Sequence, residues 1–206
     1  MLLPKNAKQL FIPGPAGQLD CLELIPNNTI YIIGVAIIFH PDPKGGGSYT
    51  NKIVQTMAKV LNSKGYICYC PNLRGVGLSD GIHDFGNKEV DDGMAVYQYL
   101  YESKRELPII LGGFSFGTKI ASSLASKIDY EKLILVGPAV TRYCVIVENP
   151  DKTIVIHGDD DEVIEFDAVL KWGREQNQPI IVFPNTGHFF HGKLIQLQNL
   201  LSTILR

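Results

Sequence analysis

The sequence of 206 residues lacks the features that mark several special classes of protein. Its four cysteines, Cys21, Cys68, Cys70 and Cys144, form no Cys-x-x-Cys pair. We therefore expect neither a disulfide framework nor a cysteine metal centre, but buried thiols in a reducing compartment. An excess of one charge is also missing, since 19 basic residues stand against 21 acidic ones. Without a strong field, binding to nucleic acid or to an anionic membrane surface loses its main driving force.

Long hydrophobic runs are missing as well. The longest uncharged apolar run, Tyr31 to Phe39, is about half of a membrane span. The first residues contain no continuous apolar stretch and no small-residue cleavage site. We therefore predict no transmembrane helix and no signal peptide. With 45% hydrophobic and 19% charged residues, the chain is predicted to be cytoplasmic and to form a single globular domain over residues 1–206.

The sequence does contain an alternation of short apolar runs and helical patterns. Two leading strands, joined through Gly14-Pro15-Ala16-Gly17, predict a hairpin at one sheet edge. The remaining order predicts an α/β fold, with a mostly parallel twisted sheet of about seven or eight strands and helices on both faces. The predicted strands are 9–12, 19–25, 35–39, 67–70, 109–112, 133–136, 153–156 and 180–183, and the predicted helices are 49–63, 90–103, 116–127, 163–175 and 193–205. In such a sheet, working residues gather at the carboxyl ends of the strands.

The strand over 109–112 leads into Gly113-Phe114-Ser115-Phe116-Gly117, followed by a helical pattern. This Gly-x-Ser-x-Gly motif, between a strand and a helix, is typical of a sharp turn that lifts a serine hydroxyl clear of the sheet. The helix N-terminus also favours developing negative charge. We predict Ser115 as a nucleophile. The alternative is a glycine-rich turn whose serine only caps the helix.

A serine nucleophile needs a base, and histidine is the usual one. His188 lies in the loop after the last predicted strand, where it can return over Ser115. His191 is the competitor, but it lies close to a helix start, where it would cap or pack. We therefore predict His188 as the base.

The base needs a carboxylate to fix its tautomer. Four acids follow the strand over 153–156, in the order Asp159-Asp160-Asp161-Glu162. We predict Asp161 as the catalytic acid, Asp159 as a turn residue, and Asp160 and Glu162 as facing water or the first helical turn. Alternatively, the whole run is a solvated turn and a helix cap. The chain order serine, acid, histidine is that of α/β-hydrolases.

An oxyanion hole requires two N–H donors. One is expected from Phe116, next to the nucleophile. The other is expected after the strand over 35–39, where the sequence reads His40-Pro41-Asp42-Pro43. Because proline has no N–H, Asp42 is the available donor between the prolines. In the alternative interpretation, His40 and Pro41 merely end the strand.

Other site types find little support. The sequence has neither a Gly-x-Gly-x-x-Gly fingerprint nor a Walker A motif, and His188 and His191 lack a third metal ligand at plausible spacing. We expect Arg74 to pair with carboxylates beneath the loops, with substrate binding as the alternative. A set of aromatic residues could line an acyl pocket or belong to the core: Tyr49, Phe114, Phe116, Phe189 and Phe190.

Over residues 33–194 the chain resembles small bacterial α/β-hydrolases of the dienelactone-hydrolase and carboxylesterase-like type. The resemblance rests on the segments HPDPKGGGSYTNKIV, NLRGVGLSDG, GGFSFGTKIA, HGDDDEVI and TGHFFHGKL, in that order and spacing. It implies the α/β-hydrolase fold, the triad Ser115, Asp161 and His188, and an oxyanion hole formed by the amides of Asp42 and Phe116.

Two departures from the family pattern bear on the substrate. Dienelactone hydrolases proper use a cysteine nucleophile, so Ser115 favours esterase chemistry. Many members carry another residue where Asp42 stands, and a carboxylate facing the pocket would repel acidic substrates. Residues 137–152 leave no room for the cap domain that larger relatives insert. We therefore expect an open, shallow site suited to small substrates with activated or bulky acyl groups.

Together these patterns predict a serine hydrolase that cleaves a small ester or thioester through an acyl-enzyme, with no metal and no organic cofactor. The rival hypotheses are a peptidase, amidase or acyltransferase on the same triad, and a non-catalytic binding protein with this fold. The expected partner is the small-molecule substrate, without nucleic acid or membrane. The sequence leaves the natural substrate and assembly into a homo-oligomer open.

Overall fold

The computed structural model describes residue 4 and residues 6–104 and 107–205. In this part of the chain, eight strands form one twisted sheet. The strands lie in the order β1-β2-β4-β3-β5-β6-β7-β8. From β4 to β8 they are parallel, whereas β1 and β2 form an antiparallel hairpin at one edge. Their bounds are β1 Ala7–Gly14, β2 Gly17–Leu24, β3 Gly34–Phe39, β4 Tyr66–Pro71, β5 Ile109–Phe114, β6 Lys132–Val136, β7 Thr153–Gly158 and β8 Ile180–Phe183.

In the described part of the chain, five helices cover the two faces of the sheet. Helices α1 (Lys52–Ser63) and α5 (Leu194–Ile204) share one buried apolar cluster with one set of strand side chains. Helices α2 (Glu89–Lys104), α3 (Phe116–Ala125) and α4 (Phe166–Glu175) share the other cluster with the alternate set. The central strands β3 and β4 are buried at every residue, which explains their continuous apolar runs. The predicted fold class, a mostly parallel sheet with helices on both faces and an edge hairpin, is confirmed.

Helices α1 and α4 begin later than predicted. Helix α1 begins at Lys52, not at residue 49, since the Asn51 side chain accepts hydrogen bonds from the amides of Ile53 and Val54 (2.9 and 3.4 Å). Helix α4 begins at Phe166, not at residue 163. The chain before it forms a tight turn around the Asp161 carboxylate.

A buried ion pair holds the loop between β4 and α2 against helix α2. The Arg74 side chain donates from Nε and Nη2 to the Asp92 carboxylate, with the shortest contact 2.6 Å. The Arg74 amide also donates to Asp92. Arg74 is buried, so it serves the pairing role predicted for it.

The thiols match the expectation of buried cysteines only in part, because Cys144 is exposed. Cys21, Cys68, Cys70 and Cys144 are all free thiols, and the first three are buried. Within the described ranges, no helix is both long and apolar enough to cross a membrane.

Candidate active site

Ser115 lies at the tip of a sharp turn between β5 and α3. Its φ of 51° and ψ of −117° place a non-glycine residue in the strained left-handed half of backbone space. The turn is tight because Gly113 lies against the backbone of Gly117, and Gly117 lies against the carbonyl of Phe39. A side chain at either glycine would overlap with backbone atoms. The turn therefore requires both glycines of the motif.

The structure brings the three predicted catalytic side chains into one hydrogen-bonded row. His188 Nε2 lies 2.9 Å from Ser115 Oγ, and His188 Nδ1 lies 2.7 Å from Asp161 Oδ2. Because a carboxylate only accepts, Nδ1 carries the proton and Nε2 is free to accept from the hydroxyl. The competitor His191 is exposed and is not part of this row.

The Asp161 carboxylate is held in its ionised form. Its Oδ1 accepts from the amides of Val163 (2.8 Å) and Ile164 (2.7 Å), while Oδ2 accepts from His188. Burial acts to raise the pKa of Asp161, but these hydrogen bonds and the nearby imidazole outweigh it. The pKa therefore lies below its usual value, and Asp161 stays charged and fixed in position.

His157 is a second buried imidazole at this carboxylate, and the sequence analysis assigned it no role. It is 0% exposed. Its Nε2 lies 3.0 Å from the carbonyl of Ile164 and 3.6 Å from Asp161 Oδ2, and its ring stacks on Phe166. Burial lowers the pKa of His157, although Asp161 opposes the shift. The neutral imidazole thus closes the turn that carries Asp161. Its position at the end of β7, just before the acids, was the available sequence signal.

Glu162 is exposed, as the sequence analysis expected, but its side chain also contacts the loop that carries His188. Its Oε2 accepts a hydrogen bond from the backbone amide of His188 (3.1 Å). A Cβ at Gly187 would lie 2.6 Å from the same oxygen, so this contact needs a glycine. Nearby, the Asp160 amide donates to the carbonyl of Thr186 (3.2 Å). The loop that carries the acid is therefore bonded directly to the loop that carries the base.

The predicted oxyanion donors lie on neighbouring segments. Gly117, in the first turn of α3, contacts the carbonyls of Phe39 and His40 at the end of β3. As the first residue of α3, Phe116 has an amide with no intrahelical acceptor. Asp42 uses its carboxylate to cap the short turn Pro43–Gly45, accepting from the Lys44 amide at 2.9 Å. That carboxylate is therefore engaged locally. The donor roles of Asp42 and Phe116 stay a prediction.

The proposed aromatic wall separates into exposed and buried members. Phe189 is 45% exposed, and its ring meets the His188 ring edge-on at 5.1 Å. Phe114 also contacts the His188 ring, at 5.0 Å, but is fully buried. Phe190 packs against Phe183 inside the core. Phe189 is thus the member of this set that contacts the base and also faces solvent.

The connection between β6 and β7 contains no cap domain. Residues 137–152 form turns and one short helical turn, Pro150–Lys152, and Tyr143 packs on the Phe116 ring at 5.2 Å. Ser115 is nevertheless only 7% exposed and His188 2%. Little of either residue is therefore exposed, and the open, shallow shape expected of the site stays a prediction. In the portion described, no group of three or more His, Cys, Asp or Glu side chains is placed to hold a metal.

Comparisons with known proteins found similar proteins both by sequence and by structure. The sequence profile of a family described as serine aminopeptidase, S33 matches residues 34–147. XC6422 from Xanthomonas campestris, described as an α/β serine hydrolase without lid, is 34% identical, with a TM-score of 0.90 over 98% of this chain and 95% of its own. An α/β serine hydrolase homologue from Coxiella burnetii is 33% identical, with a TM-score of 0.88 over 100% of both chains. The uncharacterized protein RP471 of Rickettsia prowazekii is 30% identical over 172 residues, 78% of this chain and 70% of that protein.

Proposed function

Since the chain belongs to the α/β serine hydrolase family described as serine aminopeptidase, S33, we propose that it cleaves small carboxylic esters or thioesters through an acyl-enzyme. The predicted resemblance to lidless bacterial α/β-hydrolases is confirmed at the level of the family. The observation that carries the proposal is the continuous row from Ser115 through His188 to Asp161, with contacts of 2.9 and 2.7 Å.

In the first half-reaction, Ser115 Oγ attacks the substrate carbonyl carbon while its proton passes to His188 Nε2. The negative Asp161 carboxylate stabilises the imidazolium that forms. The amides of Phe116 and Asp42 are the proposed donors to the tetrahedral oxyanion. The intermediate then collapses. The carbon bond to the leaving oxygen or sulfur breaks, and His188 returns the proton to the leaving group.

In the second half-reaction, water takes the place of the hydroxyl. His188 removes a proton from the water, and the resulting hydroxide attacks the acyl carbon of the ester on Ser115. Collapse of this second tetrahedral intermediate releases the carboxylic acid, and the proton returns to Ser115 Oγ. No step requires a metal or an organic cofactor.

Amide cleavage is the second candidate, and the description of the family as a serine aminopeptidase favours it. The same row of side chains serves either reaction, because pocket shape and leaving group decide between them. Parallel assays on vinyl acetate, a short acyl-CoA thioester and an aminoacyl anilide separate ester, thioester and amide hydrolysis by their relative kcat/KM.

Replacing Ser115 by Ala tests the assignment directly. We expect kcat to fall by roughly a million-fold, together with loss of covalent labelling by a fluorophosphonate. The matched control is Ser122→Ala, which removes another buried hydroxyl from the same helix, one bonded only to the backbone of Lys119. Peptide mapping by tandem mass spectrometry locates the adduct. Undiminished turnover in Ser115→Ala, or labelling elsewhere, overturns the proposal.

A further inference from the structure

An exposed aromatic residue is held in a strained conformation close to the start of α3. Phe85, in the loop between β4 and α2, has a φ of 56° and is 54% exposed. A bulky residue in the left-handed region costs free energy, and such strain gathers at ligand-binding and catalytic sites. Burial of the ring does not compensate for this cost, since half of the residue faces water.

A buried carboxylate imposes this conformation. Glu89 is 0% exposed and accepts hydrogen bonds from the amides of Asp84 (2.6 Å) and Gly86 (2.8 Å), which flank Phe85 on both sides. The same carboxylate lies 2.7 Å from Nδ1 of His83. Three contacts from one buried group make the turn rigid, so the outward position of the Phe85 ring is built into the fold.

The turn lies against the residue that follows the nucleophile. A Cβ on Gly86 would be 3.3 Å from Cε2 of Phe116. The His83 ring meets the Phe116 ring at 5.3 Å and the Phe85 ring at 5.0 Å. The His83 ring therefore contacts both Phe116 at the start of α3 and the exposed ring of Phe85.

Lys44 joins the Phe85 ring to the loop that carries Asp42. Its ammonium lies 4.2 Å from the ring centroid, and the Lys44 amide is the one capped by Asp42. Phe85 therefore contacts the loop after β3 through Lys44 and the first residue of α3 through His83. Because Lys44 is exposed and flexible, a planar group from a substrate can replace its ammonium at the ring face at small cost.

Building on the function proposed above, we propose that Phe85 is an aromatic subsite, and that the preferred ester carries a planar aromatic ring on its acyl or its alcohol part. The ring stacks against Phe85 while the carbonyl lies at Ser115. The proposed substrates are thus esters that carry an aromatic ring, and Phe85 determines the preference for that ring.

The test compares esters that differ only in the ring. Vinyl acetate, vinyl cyclohexanecarboxylate and vinyl benzoate vary the acyl part, and phenyl acetate places the ring on the alcohol part. Phe85→Leu keeps an apolar side chain but removes the ring. For whichever of vinyl benzoate and phenyl acetate the wild type prefers, we expect Phe85→Leu to lower kcat/KM about five- to ten-fold, chiefly through KM. The kcat/KM values for vinyl acetate and vinyl cyclohexanecarboxylate should stay within about two-fold of the wild type. Phe85→Tyr keeps the ring and should restore the preference.

Ile82→Ala is the matched control, since Ile82 is an 84% exposed apolar residue on the same loop, and it should not alter the ratio of aromatic to non-aromatic turnover. Equal losses on all esters, or none, in Phe85→Leu overturn the subsite but leave the hydrolase intact. If the wild type neither turns over any ester nor takes the fluorophosphonate, the proposed function fails instead. The subsite is then decided by saturation-transfer NMR with benzamide, whose signal Phe85→Leu should abolish; an unchanged signal overturns it.

Discussion

Two adjacent acids hold the same histidine in different ways. Asp161 accepts from the His188 ring, and Glu162 accepts from the His188 backbone amide. The first contact sets the tautomer and orientation of the imidazole, while the second sets the position of the loop that carries it. A base must lie within hydrogen-bond reach of its proton, so an error in loop position weakens the contact with Ser115.

Removing the Glu162 carboxylate should therefore lower kcat with little change in KM. We expect Glu162→Ala to reduce kcat about ten-fold, since one positioning hydrogen bond contributes about 1–1.5 kcal/mol. Glu162→Gln keeps an acceptor oxygen and should recover most of kcat.

Asp160→Ala provides the control, because Asp160 is exposed and contacts the His188 loop only through its backbone amide. If Glu162→Ala retains as much activity as Asp160→Ala, Glu162 has no positioning role.

The sequence predicted which candidate catalytic residues follow the strand ends, but it did not predict the residues that hold them in place. Ser115, Asp161 and His188 were predictable as neighbours because parallel strands direct their carboxyl ends to one edge of the sheet. Their chemical roles remain predictions. Glu162, His157 and Glu89 were not predictable, since each acts through a contact with a loop whose position only the folded chain defines.

At the level of elements, the turn between β5 and α3 depends on two close backbone approaches. Gly113 has no room for a side chain because the backbone of Gly117 and Thr118 lies against it. Gly112, one residue earlier on the same strand, has ordinary space, with its nearest neighbour, a Cγ1 atom of Ile38, 3.5 Å from a Cβ position. These two glycines allow the steric argument to be tested within one strand.

Gly113→Ala should destabilise the protein and inactivate it. The added methyl pushes β5 and α3 apart, so the free energy of unfolding should fall by about 2–3 kcal/mol, and the displaced Ser115 should lose most of its turnover. Gly112→Ala should change stability by less than about 1 kcal/mol. Urea denaturation and ester turnover of both variants check this, and equal behaviour of the two would contradict the steric explanation.

Helix positions were predictable from apolar periodicity, but their first residues were not. The pattern placed α1 and α4 a few residues too early. At α1 the Asn51 side chain takes the Ile53 amide, which a helix from residue 49 would bond to the carbonyl of Tyr49. Before α4 the chain instead turns around the Asp161 carboxylate. Periodicity reports which face is buried and contains no information about this competition.

At the scale of the whole molecule, a buried histidine couples stability to pH. His40 is fully buried at the end of β3. Its Nδ1 donates to the carbonyl of Pro41 (2.7 Å), and its Nε2 accepts from the amide of Leu73 (3.0 Å). Protonating Nε2 would remove this acceptor and bury a charge. Burial accordingly lowers the pKa of His40 from 6.5 to about 4, although Asp42 and Glu89 oppose the shift and His83 adds to it.

Acidification should therefore destabilise the fold. Below pH 6.5 the unfolded chain binds the His40 proton while the folded chain resists it down to about pH 4, so the free energy of unfolding falls across this window. The slope from this one group reaches about 1.4 kcal/mol per pH unit. His157, also buried with a lowered pKa, adds to the same loss.

Urea denaturation across this pH range checks the expectation. His40→Gln cannot titrate, so its stability should depend less steeply on pH than that of the wild type, whatever its stability at neutral pH. An identical slope in the two proteins would exclude His40 as a source of the acid sensitivity.

The strand order shows how far the sequence determines the architecture. Alternating strands and helices predicted a parallel sheet, and the early glycine-rich turn predicted an edge hairpin; both predictions are confirmed. The insertion of β3 between β4 and β5 was not evident, because it depends on which face each crossover helix covers. The single domain over residues 1–206 remains a prediction.

The one exposed cysteine offers a site at which a reporter dye can be attached. Three of the four cysteines are buried, and Cys144 alone is exposed. It directly follows Tyr143, whose ring packs on Phe116 beside the nucleophile. A maleimide dye would therefore attach to the natural chain at one defined point beside helix α3, and its fluorescence would report changes in the surroundings of that helix without any engineered residue.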